Sequence, residues 1–410
     1  MPATELDRRL GLGDAIVLGL GSMLGAGVFA AFAPAARAAG AGMLLGLGLA
    51  GVVAYCNATS SARLATLYPV SGGTYVYGRE RLGPFWGYLA GWAFVVGKTA
   101  SCGAMALTAG AYLAPAYARP IAVAVVVALT GLNYVGIRKS AWATRVIVVI
   151  VLAALALVAT ACLVGGQPTV AHLTPRGWSA LGVLQAAGFL FFAFAGYARI
   201  ATLGEEVRDP ARTIPRAIPL ALGITLAVYA AVAVAVLALL GADRVAASPD
   251  PLAAAVRATA WSGLEPVVRA GAAVAAVGSL LALLLGVSRT TLAMARDRYL
   301  PGALDAVHPR YRVPHRAELA VGAVVVAVVL AGDVRGAIGF SSFAVLVYYA
   351  IANASALTLG GGPGTRLVPA LGAAGCLLLA GALPWPAVVG GVAVLAAGTL
   401  WWLLRRRLRT

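Results

Sequence analysis

The chain has 410 residues, of which 61% are hydrophobic and 11% charged, with a formal net charge of +17. A soluble domain carries about 25% charged residues, so this composition excludes an ordinary globular protein and implies a polytopic membrane protein. The first apolar segment is too long for a cleavable leader, and insertion is expected through the chain's own helices.

Windows of about 20 apolar residues mark membrane spans. Twelve fall at 11–36, 41–66, 84–114, 119–136, 142–164, 180–204, 214–240, 267–297, 317–332, 336–360, 367–383 and 385–404. With the N-terminus inside, Arg8, Arg9, Arg79, Arg138, Lys139, Arg296, Arg310 and Arg405 to Arg407 are among the basic residues on the inner side. Arg37, Arg119, Arg176, Arg244, Arg257, Arg269 and Arg335 fall outside, a bias of nearly three to one. That is the positive-inside pattern for a cell-membrane protein with both termini cytoplasmic. The basic excess therefore reads as orientation and contact with anionic membrane lipids, not nucleic-acid binding.

The first span contains Gly19-Leu20-Gly21-Ser22-Met23-Leu24-Gly25-Ala26-Gly27-Val28-Phe29, with four glycines in nine residues. Glycine costs roughly 1 kcal/mol against alanine at each helix position. The cluster predicts a helix broken near mid-membrane, or else close packing against another helix. Unwound backbone at that depth is tolerated where it is buried in protein or lines a cavity. A break frees N–H groups at Gly25, Ala26 and Gly27, at the positive start of the outer half-helix, suited to a carboxylate. It also frees carbonyls around Ser22 and Met23, suited to an ammonium group.

The segment from Leu67 to Gly83 is expected to be partly an interfacial helix. In the third span, Lys98 lies near the middle, beyond easy snorkelling range. The chain has 29 arginines and two lysines. A lysine retained at that depth fits a position that must lose its proton, because desolvation can neutralise lysine but not arginine. The alternative is a structural ammonium bonded to helix-end carbonyls. Arg63 and Arg145 lie near span ends and are expected to snorkel.

The sixth span runs Phe189-Leu190-Phe191-Phe192-Ala193-Phe194-Ala195-Gly196-Tyr197-Ala198-Arg199 and on to Glu205-Glu206. It stands first in a second set of five spans, as the broken span stands first in the leading five. Five is odd, so the second set crosses the membrane inverted. Interrupted segments in matching places of inverted halves point to a transporter's central site. Carbonyls from Phe192 to Ala195 add acceptors for an ammonium, and the site suits a zwitterion such as an α-amino acid. Phe192 and Phe194 belong to an aromatic run that reads as a gate or as packing. Arg199, Glu205 and Glu206 are gate candidates, with a solvated helix end as the other reading for the two acids.

Four blocks in order carry a resemblance: GSMLGAGVF (Gly21 to Phe29), SGGTYVYGRERLGPFWGYLAGW (Ser71 to Trp92), Phe191 to Ile218, and SRTTLAMARDRYLP (Ser288 to Pro301). They resemble the amino acid–polyamine–organocation superfamily, over nearly the whole chain. The resemblance implies an all-α polytopic membrane protein of the LeuT type. That fold is a 5+5 inverted repeat, here residues 1–164 and 165–360, followed by two additional C-terminal helices and a basic tail in 361–410. It also implies alternating access, with carboxylate contacts at Gly25, Ala26 and Gly27 and amine contacts at the carbonyls of Met23, Phe192 and Ala195. Two positions depart from relatives: Val151 stands where some carry a helix-five lysine, and Ala198 where several carry an acid. Lys98 is then the candidate proton-coupling group.

The function expected is a secondary amino acid transporter, proton-coupled. Alternatives are an amino acid, amine or polyamine exchanger without a coupling ion, and a sodium symporter using Ser279. An intramembrane hydrolase with a Ser101–Lys98 dyad at i, i+3 spacing is a distant third. No cofactor or metal is expected: His172, His308 and His315 fall in loops without ligand spacing, and Cys56, Cys102, Cys162 and Cys376 read as packed thiols.

Overall fold

A computed structural model describes residues 10–68, 72–136, 141–174, 177–197, 200, 207–360 and 362–407. Every named element among these residues is helical, and one isolated parallel bridge joins Leu10 to Val207. Hydrocarbon offers no partner to backbone N–H and C=O groups, so a spanning segment must satisfy them internally. Nine of the described helices are long and apolar enough to cross a membrane.

The chain opens with α1 (Leu12–Met23), whose first turn is closed by the Gly11 N–H donating to Asp14 Oδ2 at 3.1 Å. Arg145 pairs with Asp14, so this basic residue finds a carboxylate near the helix end. After the break come α2 (Ala26–Ala30) and α3 (Phe32–Ala39), then α4 (Met43–Leu67). The short α5 (Thr74–Leu82) follows, then α6 (Pro84–Leu113), α7 (Ala118–Tyr134) and α8 (Ala141–Val164). The second half begins with α9 (Ala180–Phe194) and α10 (Pro210–Leu240). Two small helices, α11 (Ala242–Ala247) and α12 (Pro251–Arg257), lead to α13 (Glu265–Arg296), α14 (His315–Ala331) and α15 (Val334–Leu357). The last two are α16 (Pro363–Ala382) and α17 (Trp385–Arg407).

The sequence windows that fall outside the nine spans are helical as well, as α6, α9 and α14. The 15 residues of α9 and 17 of α14 are short; at 1.5 Å per residue they reach roughly 22 and 26 Å, less than the hydrocarbon thickness. The 30-residue α6 is long enough but diluted by Gly, Ser, Thr and Lys98. The segment entering α6 is partly helical, as α5, and Thr74 through Gly78 of that helix are buried against the protein. The Thr74 N–H donates to the Tyr348 hydroxyl at 3.1 Å, which docks α5 onto α15.

The helix α6 runs through the interior, flanked by α13 and α15. Small residues set that approach: a Cβ on Gly97 would sit 2.8 Å from Cβ of Ala344, and one on Gly103 2.6 Å from Val328 of α14. All four cysteines are buried and unpaired, as the sequence suggests. Arg63 reaches the Thr365 carbonyl at 2.8 Å.

The end holding α11 and α12 is tied down by charge. Asp250 is only 2% exposed and accepts from Arg257 at 3.0 Å and from Arg269 at 2.5 Å. Glu265 binds the same two arginines, reaching Arg269 at 2.6 Å. Arg269 also donates to the Tyr112 carbonyl at 2.9 Å, and the Tyr112 hydroxyl donates to the Phe29 carbonyl at 3.2 Å. The network thus links the loop, α6, α13 and α2.

Removing one partner of a buried pair strands the other charges. Asp250→Ala should cost about 3 kcal/mol, the low end for a buried pair because Arg257 reaches solvent. It should read as a lower melting temperature in detergent.

Candidate functional site

Both interrupted segments are where the glycines put them. The first helix stops at Met23, Leu24 turns out of helical geometry (φ −74°, ψ 58°), and Gly25 is extended (φ −114°, ψ −146°). Helix resumes at Ala26, and Ala31 keeps helical angles, so α2 and α3 form one nearly continuous segment after the break. The Gly25 N–H donates to the Met23 carbonyl at 2.7 Å. Of the three N–H groups expected to meet a carboxylate, those of Ala26 and Gly27 head the segment after the break, while Gly25 is used inside the break. The second interruption follows Phe194, where Ala195 leaves the helix and the Tyr197 N–H returns to the Phe194 carbonyl at 3.2 Å.

The two breaks face each other. A Cβ on Gly27 would lie 2.5 Å from Cα of Ala193, one on Gly196 would collide with the Ser22 carbonyl, and one on Gly25 would collide with Ser279 Oγ of α13. Both readings of the glycine cluster therefore hold at once, since the helix breaks there and also packs closely there.

Two tyrosines that sequence reasoning missed occupy the crossing. Tyr229 of α10 donates its hydroxyl to the Met23 carbonyl at 2.6 Å and lies 3.3 Å from the Ala193 carbonyl. Tyr349 of α15 donates to the Ala195 carbonyl at 3.3 Å. Both are essentially fully buried. The available signal was a tyrosine inside an apolar span, because a buried hydroxyl needs a partner. A carbonyl oxygen has two lone pairs; at Met23 both are taken, by Gly25 and Tyr229, while Ala195 keeps one. The Ser22 hydroxyl is spent on the Leu18 carbonyl at 2.9 Å.

The aromatic run divides. Phe194 is fully buried and packs against Tyr229 with the rings tilted and 5.3 Å between centroids, and Phe191 packs edge-on to Tyr349 at 5.8 Å. Phe192, at 8% exposure, is the more open member. An open cavity of about 430 Å³ lies elsewhere, between Arg37, Ser179 and Asp243, and contains none of the expected site residues. Ala198, Arg199, Glu205 and Glu206 lie outside the described residues.

Lys98 is buried on α6, with Cys102 one turn on. Among the described residues no carboxylate comes within ion-pair distance of it. The Ser101 hydroxyl has other partners: it pairs with Ser341 Oγ at 2.5 Å and donates to the Gly97 carbonyl at 3.2 Å. The dyad read from i, i+3 spacing is not assembled, because Ser341 of α15 captures the serine. Val151 is a buried core residue of α8. No group of three or more His, Cys, Asp or Glu side chains suited to a metal occurs among the described residues.

The amino acid permease family model matches residues 14–397. The chain belongs to the amino acid permease family. It is similar to an uncharacterized transporter of Mycobacterium tuberculosis, 67% identical over 408 residues, 98% of this chain and 92% of the relative. It is also similar to the branched-chain amino acid permease BcaP of Bacillus subtilis, 25% identical over 76% of this chain and 72% of that one. A chloroplastic cationic amino acid transporter of Arabidopsis thaliana is 28% identical over 85% of this chain and 65% of that one. The permease is thus an integral multi-pass membrane transporter and not an enzyme.

Tyr229→Phe removes the donor from the Met23 carbonyl and should lower stability by about 1–2 kcal/mol, as expected for a lost buried hydrogen bond. Thermal denaturation of the purified permease measures this. Gly27→Val should abolish transport while the protein still inserts, because Ala193 leaves no room for the side chain.

Proposed function

We propose that the permease carries α-amino acids across the cytoplasmic membrane by alternating access. Residues 1–164 and 165–360 act as two inverted five-helix repeats, and residues 361–410 add two helices and a basic tail, twelve spans in all. The observation that carries this reading is the meeting of two broken helices, at Leu24–Gly25 and after Phe194, deep in the protein. Irregular backbone at membrane depth fits a binding site formed by discontinuous helices.

The substrate carboxylate binds at the N–H groups of Ala26 and Gly27, with Gly25 joining when its turn opens. The ammonium binds at the carbonyls of Met23, Phe192 and Ala195, displacing the Tyr229 hydroxyl from Met23. Names of relatives favour an amino acid substrate, since two of them are a branched-chain amino acid permease and a cationic amino acid transporter. Phe192 lines the entrance, and Arg199, Glu205 and Glu206 close the inner side. Both termini face the cytoplasm, where Arg405, stacked 5.1 Å from the Trp401 ring, meets anionic lipid headgroups.

Lys98 is the proton-coupling group in this reading. It is buried at mid-helix in α6, without a carboxylate at ion-pair distance among the described residues, so losing its proton breaks no ion pair of that kind. An intramembrane ionisable residue marks an ion or proton pathway by default.

Uptake of labelled amino acids into proteoliposomes, under a proton gradient, a sodium gradient or neither, tests the proposal. Accumulation of one class under the proton gradient alone is expected. Lys98→Met should retain counterflow but lose gradient-driven accumulation. Accumulation unchanged in Lys98→Met would remove the coupling role. Counterflow indifferent to both gradients in the unaltered protein would make it an exchanger.

A further inference from the structure

Away from the broken helices, a second polar cluster is buried between α7, α13 and α14. Glu318, in the first turn of α14, is 2% exposed, and around it lie Thr130 and Asn133 of α7 and Ser288 of α13, at 8%, 1% and 0%. The Ser288 hydroxyl lies 3.3 Å from Glu318 Oε2 and 3.1 Å from the Leu285 carbonyl, and its one proton serves one of them at a time. The Asn133 amide lies within hydrogen-bonding reach of the carboxyl and donates weakly to the Leu281 carbonyl at 3.4 Å. Thr130 packs over Gly322, one turn beyond Glu318 on the same helix face.

Three polar atoms of the cluster lack a partner. Glu318 Oε1, Asn133 Oδ1 and Thr130 Oγ1 are all buried without a hydrogen-bond partner. An ionised carboxylate and an amide carbonyl both only accept, so neither satisfies the other. A proton on Glu318 Oε1 makes an O–H that can donate to a buried acceptor, where the ionised oxygen can only accept. Leaving a buried acceptor unmade costs about 1–3 kcal/mol, more for a charged group.

Two histidines lie near the same end of the helix. His315 lies three residues before Glu318, hence on the same face, and its Nδ1 is buried without a partner. Its ring meets that of His308 at 5.3 Å, and both rings contact Tyr134, the neighbour of Asn133. His308 Nδ1 accepts the N–H groups of Arg310 and Tyr311 at 3.2 and 3.3 Å, which leaves Nε2 to carry the proton. Two of the chain's three histidines thus meet at the loop end of the helix that carries the carboxyl.

We infer that Glu318 is a proton-binding site, held as the carboxylic acid by its burial among Thr130, Asn133 and Ser288 without a cation paired to it among the described residues, and filled from the cytoplasm through His308 and His315. The step is Glu318 carboxylate plus one proton giving the acid, with the reverse on release. The charged groups of the packed elements do not replace the proton. Arg289 of α13 is exposed and acts on the carboxyl from the surface. Arg316 is turned to the Ala303 carbonyl at 3.4 Å, Asp305 pairs with Arg296 at 2.9 Å, α7 offers no charge facing inward, and α6 carries only Lys98. The cytoplasmic direction rests on the proposed topology; the site itself does not depend on amino acid transport.

The test compares the full-length protein with Glu318→Gln, whose amide supplies a donor at every pH. As pH rises and the acid ionises, an uncompensated charge is left buried, so the melting temperature of the unaltered protein should fall. Glu318→Gln should be flat over the same range. Equal slopes in the two proteins would overturn the proposal. Should Glu318→Gln not fold, infrared spectroscopy of Asn133→Leu decides. A protonated carboxylic-acid band in the unaltered protein that shifts in Asn133→Leu supports the site; an unmoved or absent band overturns it. In proteoliposomes, His315→Phe should slow the response of the infrared band to a pH jump. These readouts stand whether or not an amino acid is carried, so their failure is separable from failure of the transport reading.

Discussion

Backbone polar groups without water to bind them are the constraint on which this permease depends. Almost everywhere the chain answers it by coiling into helices. At Leu24–Gly25 and after Phe194 it does not, and the freed groups are met by other means. Tyr229 covers the Met23 carbonyl, Tyr349 covers the Ala195 carbonyl, and Gly25 closes a tight turn onto Met23. The N–H groups of Ala26 and Gly27 open the segment after the break instead. A region that solves its backbone problem with side-chain hydroxyls can exchange them for a ligand, which continuous helix cannot do.

Close approach makes this arrangement possible. Lipid tails are as apolar as leucine, so helices in a membrane associate through packing, and small residues let their backbones meet. Gly27 against Ala193 and Gly196 against Ser22 bring the broken helices together, while Gly97 and Gly103 seat α6 against α15 and α14. The same close packing brings Ser341 to Ser101, which settles that serine into a structural hydroxyl pair.

Polar clusters lie away from the crossing, and they differ in kind. At Asp250 the charges balance, with two carboxylates shared between two arginines, and the result ties the loop to Tyr112 and through it to α2. Around Glu318 three buried polar atoms lack a partner. A saturated network stabilises one arrangement; an unsaturated one responds to what is supplied, here a proton.

The helical, membrane-spanning character of the chain was legible in the sequence, because hydropathy and charge distribution act residue by residue. So were both helix breaks, because glycine's cost in a helix is local. The sequence also singled out Met23, Gly25, Ala26, Gly27 and Ala195, which the fold brings to one crossing. What it did not contain was partnership. Tyr229 and Tyr349 lie far along the chain from the carbonyls they meet. Asn133 and Glu318 are separated by nearly two hundred residues, and the i, i+3 spacing of Lys98 and Ser101 suggested a contact that Ser341 pre-empts. Such pairings depend on how helices rotate and cross, a matter of long-range packing with no local signature, and only the tertiary structure decided them.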